Sequence, residues 1–182
     1  MTCLRCIGPL MLSLFVLPAW AQPRKTVEVW GSAAIAHAAG DESFIGTPAA
    51  YGGGVAIPLT RSLAMNFDVE RMRAERFNPV TRVFVSPALV WRWGNERVYG
   101  FAGGGMGLQI DRSIGFLYSA VPGQQQPSAT QVQSTDSGPA LHGQVGVVYN
   151  PVSRLILRAG FVSHWHYVLP TSGIRFGVGY RF

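Results

Sequence analysis

Past residue 21 the chain has no cysteine, because its only two, Cys3 and Cys6, lie near the start. A disulfide, an iron–sulfur cluster and a thiol nucleophile are therefore excluded from everything that follows. Charge is scarce too, at 13% of residues, while 48% are hydrophobic. Yet no apolar run beyond residue 21 approaches the roughly 20 residues that a membrane-spanning helix needs. A chain this apolar without spanning helices is either a β protein with a large core or a β-barrel that crosses a bilayer. The formal net charge is +6, or +5 without Arg5, and its cations are spread singly. That spacing argues against a nucleic-acid patch, so no nucleic-acid partner is expected.

What is present begins with a leader. Met1–Ala21 carries Arg5 as its single charge, then an apolar run from Ile7 to Trp20, then Ala19-Trp20-Ala21 before Gln22. This predicts a secretory signal peptide over residues 1–21 and one mature domain over residues 22–182. Neither cysteine sits at the cleavage point, so lipoprotein processing is not expected. Export without disulfides fits a bacterial envelope protein stabilised by a closed sheet.

The mature part reads as eight strands: Thr26–His37, Tyr51–Leu59, Leu63–Arg71, Thr81–Trp93, Arg97–Asp111, Ala140–Tyr149, Arg154–His166 and Gly173–Phe182. Short turns follow the second, fourth and sixth. Longer connections follow the others, the longest being Arg112–Pro139. Short turns at one end and long loops at the other are the arrangement of an outer-membrane barrel. The fold class expected is all-β, an eight-stranded antiparallel transmembrane β-barrel.

Alternation assigns the two faces. The final decamer, GIRFGVGYRF, sets Ile174, Phe176, Val178, Tyr180 and Phe182 against Gly173, Arg175, Gly177, Gly179 and Arg181. Leu155, Leu157, Phe161 and Trp165 oppose Arg154, Arg158, His164 and His166, and Met65, Phe67 and Val69 oppose Asn66, Asp68 and Glu70. Val83, Val85, Leu89 and Trp91 oppose Arg82, Ser86 and Arg92, and His142 and Gln144 share a polar face. Trp30 falls on the polar side of the first strand. A soluble barrel of lipocalin type would be apolar inside and polar outside, whereas here charges gather on the face that also collects glycine. That favours a polar interior with lipid outside.

An eight-stranded barrel has an interior that side chains can fill. Glu28, Asp68, Glu70, Arg82, Arg92, Asp111, Arg154, Arg158, Arg175 and Arg181 are therefore expected to form a mutually neutralising lumen network. Trp91, Trp93, Tyr99, Tyr149, Tyr180 and Phe182 flank the short-turn end, and Tyr51, Phe161, Trp165 and Tyr167 the long-loop end, as two aromatic girdles. Arg71, Arg73 and Arg76 surround the second long loop, where guanidinium groups suit the phosphates of lipopolysaccharide.

The leader, the alternating strands, the segment YGFAGGGMGLQ (Tyr99–Gln109) and the terminal GVGYRF (Gly177–Phe182) resemble small outer-membrane β-barrels of the OmpA/OmpX type. The resemblance implies an outer-membrane location, a monomer without cofactor, and contact with outer-membrane lipid or lipopolysaccharide. It makes Tyr180 and Phe182 a signal read by the barrel assembly machinery. No peptidoglycan-binding domain follows, so a cell-wall tether is not expected. Chemistry has weak candidates. Ser163, His164 and His166 hold a hydroxyl beside imidazoles, but without the His-x-Ser spacing of lipid A deacylase barrels. If His164 points inward, Ser163 points to lipid. His164 and His166 could hold a metal only with a third ligand, which is not evident. His37, Asp41 and Ser43 are similar to the mouth residues of lipid A palmitoyltransferase barrels. The expected function is a structural or surface-interaction role with a lumen plugged by charged side chains. A lipid A-modifying enzyme is the alternative.

Overall fold

The computed structural model describes residues 26–38, 49–74, 80–119, 128–166 and 169–182. They form eight strands: β1 (Glu28–Ala38), β2 (Ala49–Pro58), β3 (Leu63–Ala74), β4 (Val80–Gly94), β5 (Val98–Ser119), β6 (Ser128–Tyr149), β7 (Leu155–His166) and β8 (Leu169–Arg181). Each pairs antiparallel with its neighbour in sequence. β1 also pairs with β8, from Glu28↔Arg181 to Ala38↔Thr171, which closes the sheet into a barrel. Closure removes the open edges that a flat sheet would present to lipid.

The period-two pattern places the apolar rows outside. Ile35 is 61% exposed, Phe176 and Val178 58%, Leu141 59% and Met106 66%. Trp91, Phe67, Val69, Leu89, Val145 and Phe161 join them on the outer wall. A protein bathed in water seldom exposes apolar surface on this scale, and the barrel is of the transmembrane kind. The inner rows hold the buried charges and amides, interleaved with small residues. On β2 the inner row is Ala50, Gly52, Gly54 and Ala56. A Cβ on Gly54 would stand 2.6 Å from the Trp30 ring and 2.8 Å from Asp68 Oδ1, so glycine there makes room for both.

The short turns sit where expected. Thr60 Oγ1 accepts from the amides of Ser62 and Leu63, at 3.3 and 3.0 Å. Gly94 has φ +122°, a conformation that favours glycine, and Asn95 Oδ1 accepts from the Arg97 and Val98 amides at 2.9 and 2.8 Å.

The connection expected over Arg112–Pro139 is instead mostly strand. β5 and β6 continue past Asp111↔Asp136 through eight more pairs, Arg112↔Thr135 to Ser119↔Ser128. Pairing of β5 with β4 begins at Val80↔Ser113, and pairing of β6 with β7 begins at Leu141↔Trp165. Among the described residues, the stretch beyond Ser113 therefore pairs only with β6, as a two-stranded ribbon standing above the wall. Alternation reveals a strand only where one face is apolar. On β6, residues 130–137 are exposed on both sides of the strand, and Gln131, Gln133, Thr135 and Ser137 show no such face.

We predict that Phe176→Arg, on the outer wall, lowers the stability of the lipid-inserted barrel by about 2–4 kcal/mol. Ser134→Arg, on the ribbon, should leave it unchanged. Urea unfolding in phospholipid vesicles measures both.

Candidate functional site

The inner rows bring the charged residues into three groups along the bore. Nearest the short turns, Glu28 is fully buried. Arg181 donates to Glu28 Oε1 through Nη2 at 2.8 Å and Nε at 3.2 Å. The Tyr99 hydroxyl donates to Oε2, and Arg92 Nη2 lies 3.5 Å from the same oxygen. Both guanidinium groups face the Tyr99 ring, at 5.3 Å for Arg92 and 6.0 Å for Arg181. Tyr99 thus belongs to the interior and not to the aromatic girdle expected for it. Closeness to a turn does not decide facing, whereas parity does, and odd residues of β5 point inward.

In the middle, Arg158 lies between two aromatic rings, 4.2 Å from the Trp30 centroid and 3.9 Å from that of Phe101. Gln144 Oε1 accepts from Arg158 Nη2 at 2.8 Å and from Arg175 Nη2 at 3.0 Å. Arg175 Nη1 reaches Asp68 Oδ1 at 2.9 Å and Glu70 Oε1 at 3.1 Å. The other Glu70 oxygen is 3.0 Å from His164 Nε2. His164 Nδ1 lies 3.3 Å from His142 Nδ1 and 3.5 Å from Ser86 Oγ, and the ring stacks on Phe84 at 3.8 Å. A neutral His164 that donates from Nε2 to Glu70 offers Nδ1 as an acceptor to His142 or Ser86.

Toward the long-loop end, Arg82 grips Asp111 with two bonds, Nε–Oδ1 at 2.9 Å and Nη2–Oδ2 at 2.8 Å. Its Nη1 donates to Thr171 Oγ1 at 3.2 Å, and Gln109 Nε2 donates to Asp111 Oδ2 at 2.9 Å. Arg154, assigned to the lumen by alternation, is outside it. It lies one residue before β7, in the turn, where the parity of the strand no longer applies. It is exposed and donates to the Tyr180 hydroxyl at 2.9 Å.

Chemically, Glu70, His164 and Ser86 line up as acid, imidazole and hydroxyl, the order a nucleophile–base system uses. Ser86 is only 2% exposed, however, and the cavity beside His164 and Phe84 measures about 10 Å³, room for at most one water. Ser86 does not line that cavity, and its hydroxyl is buried away from solvent. Ser163 does not share a face with His164. It sits on the outer row, covered by its neighbours, with Oγ 2.6 Å from Ser172 Oγ. His166 Nδ1 is 2.8 Å from the Pro139 carbonyl, and His37 is exposed on the outer face of β1. Asp41, Ser43, Arg76, Tyr167 and the leader lie outside the described residues. Among the described residues, no group of three or more His, Asp or Glu side chains is arranged to hold a metal. Arg71 and Arg73 are exposed on the outer wall. Sequence alternation places Ser86, His142 and Gln144 on polar faces without assigning partners. No sequence signal pairs any of them with residues up to 78 positions away.

Glu28→Gln leaves two arginines around a neutral amide, and we expect it to cost about 3–5 kcal/mol. Arg154→Gln should cost at most about 1 kcal/mol. Denaturant midpoints in vesicles compare the two.

No protein-family model matches the sequence, and no curated protein matches it. Solved structures do share its fold. The N-terminal β-barrel domain of OprF from Pseudomonas aeruginosa is 13% identical and aligns over 88% of this chain and all of that one, with a TM-score of 0.59. Neisserial surface protein A, NspA, is 16% identical over 86% of this chain and 97% of its own, with a TM-score of 0.61. Ail, the attachment invasion locus protein of Yersinia pestis, is 15% identical over the same shares, with a TM-score of 0.56. The chain has the fold of the small eight-stranded outer-membrane β-barrels.

Proposed function

We propose that the protein resides in a bacterial outer membrane as a non-conducting barrel with a structural or surface-interaction role. The observation that carries this reading is a set of bonds across the bore. In a ring of eight strands, β1 stands opposite β5, β3 opposite β7 and β4 opposite β8. Glu28 meets Tyr99 across the first pair, Glu70 meets His164 at 3.0 Å across the second, and Arg82 meets Thr171 at 3.2 Å across the third. A hydrated channel keeps opposite walls apart. Three direct bonds between opposite walls support a lumen filled by its own side chains.

The burial of Ser86 supports a non-catalytic reading over lipid A modification. For assembly, Tyr180 and Phe182 offer an exposed aromatic pair at the end of β8, with ring centroids 4.9 Å apart. Their exposure suits recognition by the barrel assembly machinery. The ribbon of β5 and β6 stands beyond the paired wall and would carry surface contacts.

Planar-bilayer recording tests the central statement. The refolded barrel should add no stable conductance steps, whereas reproducible nanosiemens channels would overturn a filled lumen.

A further inference from the structure

The charges along the bore do not cancel. Among the described residues, the inner rows within the wall hold the carboxylates Glu28, Asp68, Glu70 and Asp111 against the guanidinium groups of Arg82, Arg92, Arg158, Arg175 and Arg181. Asp136 lies beyond the wall, exposed on the ribbon. One positive charge is therefore in excess, and protonation of His142 or His164 would only add to it. Arg82 touches Asp111, Arg92 and Arg181 touch Glu28, and Arg175 touches Asp68 and Glu70. Arg158 touches no described carboxylate, yet it is only 5% exposed. A buried charge without a counter-ion is costly. The Trp30 and Phe101 rings offset part of it, and Gln144 accepts from Nη2 at 2.8 Å. Arg158 Nε is buried without a hydrogen-bond partner.

That guanidinium borders a niche. Ser32 of β1 and Arg158 of β7 both pair with Gly177 of β8, so the three stand in one row on the inner face. Gly177 puts no side chain between the other two. A Cβ there would lie 3.5 Å from Ser32 Cβ and 3.6 Å from Trp30 Cδ1, the carbon bonded to Nε1. Trp30 Nε1 and Ser32 Oγ are buried and, like Arg158 Nε, lack a partner. Both nitrogens are donors only, and the hydroxyl can turn to donate. We propose that the niche over Gly177 binds a monatomic anion, chloride, held by Arg158 Nε, Trp30 Nε1 and Ser32 Oγ. Chloride accepts from all three donors and cancels the excess charge. A water would accept from two of them and bring two hydrogens to a place short of acceptors. One added carbon at Gly177 already stands 3.0 Å from the Gly31 carbonyl, so an anion as large as phosphate does not fit. The chloride sits on the bore side of that position, away from the carbonyl. The site goes beyond the non-conducting role proposed above, and its test reads no conductance.

The test refolds the full mature barrel from urea into phospholipid vesicles, in sodium chloride or sodium gluconate at equal sodium concentration, and reads denaturant midpoints. The parent's midpoint should rise with chloride and level off as the site fills, and should not respond to gluconate. Ser32→Ala removes one donor and should raise the half-saturating chloride concentration by about tenfold. Ser32→Asp sets a carboxylate beside Arg158 and should make the midpoint independent of chloride. Heat-modifiable migration verifies that each variant is a closed barrel, and where Ser32→Asp does not close, Ser32→Ala decides. Crystals grown in sodium bromide should show an anomalous peak between Ser32, Trp30 and Arg158. Equal midpoints in the two salts for the parent would overturn the site. So would an unchanged half-saturating concentration in Ser32→Ala, or a closed Ser32→Asp barrel that depends on chloride as the parent does. Density in the niche without an anomalous signal would mean a water and would overturn it as well.

Discussion

The hydrogen bond between Glu70 and His164 joins β3 to β7, strands on opposite sides of an eight-membered ring, at 3.0 Å. A ring this small leaves charged side chains nowhere to go except toward each other. Outside is an apolar wall, so a carboxylate or guanidinium on an inner row cannot turn outward to water. They find partners inside the bore, on the adjoining strand for Arg181–Glu28 and Arg82–Asp111 and further round the ring for Arg175–Asp68. Arg175 shows the consequence, since one guanidinium serves Asp68, Glu70 and Gln144 together. Fully buried ion pairs gain little over well-packed apolar groups, but losing one partner is costly. The network therefore acts as a lock on register. A slip of one residue between any two strands would send these charges to the lipid side.

The same constraint divides labour between the two faces. Acids are drawn inward to neutralise Arg82, Arg92, Arg158, Arg175 and Arg181. The outer wall is left with apolar rows and, toward the long-loop end, the exposed Arg71, Arg73 and Arg112. A barrel so charged suits a membrane whose surface is anionic, which is the setting proposed for it. The ribbon of β5 and β6 escapes the rule altogether, because it has left the wall and answers to neither face.

Much of this was legible from residue order. Strict alternation in the last strand, the exposed Phe176 and Val178, and the inward Arg175 and Arg181 follow from period two alone. So did the short turns, because Thr60 and Gly94-Asn95 carry their own local hydrogen-bonding chemistry. Three things were not legible. The β6 half of the ribbon lacks an apolar face and gives no alternation to read, although Ile114, Phe116 and Tyr118 alternate on the β5 half. Arg154 lies one residue beyond the strand whose parity would have sent it inward. Glu28 with Arg181 and Arg82 with Asp111 are register partners on adjoining strands, but the partners of the other buried charges depend on how strands further apart meet across the ring. Arg175 and Asp68 are 107 positions apart in sequence, and nothing local to either names the other. Ser86 came beside His164 in the same way, which no spacing motif could anticipate.

A double-mutant cycle between Arg175 and Asp68 bears most directly on this account. Arg175→Met and Asp68→Leu should each destabilise the barrel strongly in lipid vesicles. Together they should cost much less than the sum of the two, with a coupling of about 2–3 kcal/mol. Additive losses, with coupling near zero, would mean that the bore is not held by paired charges and would contradict the account.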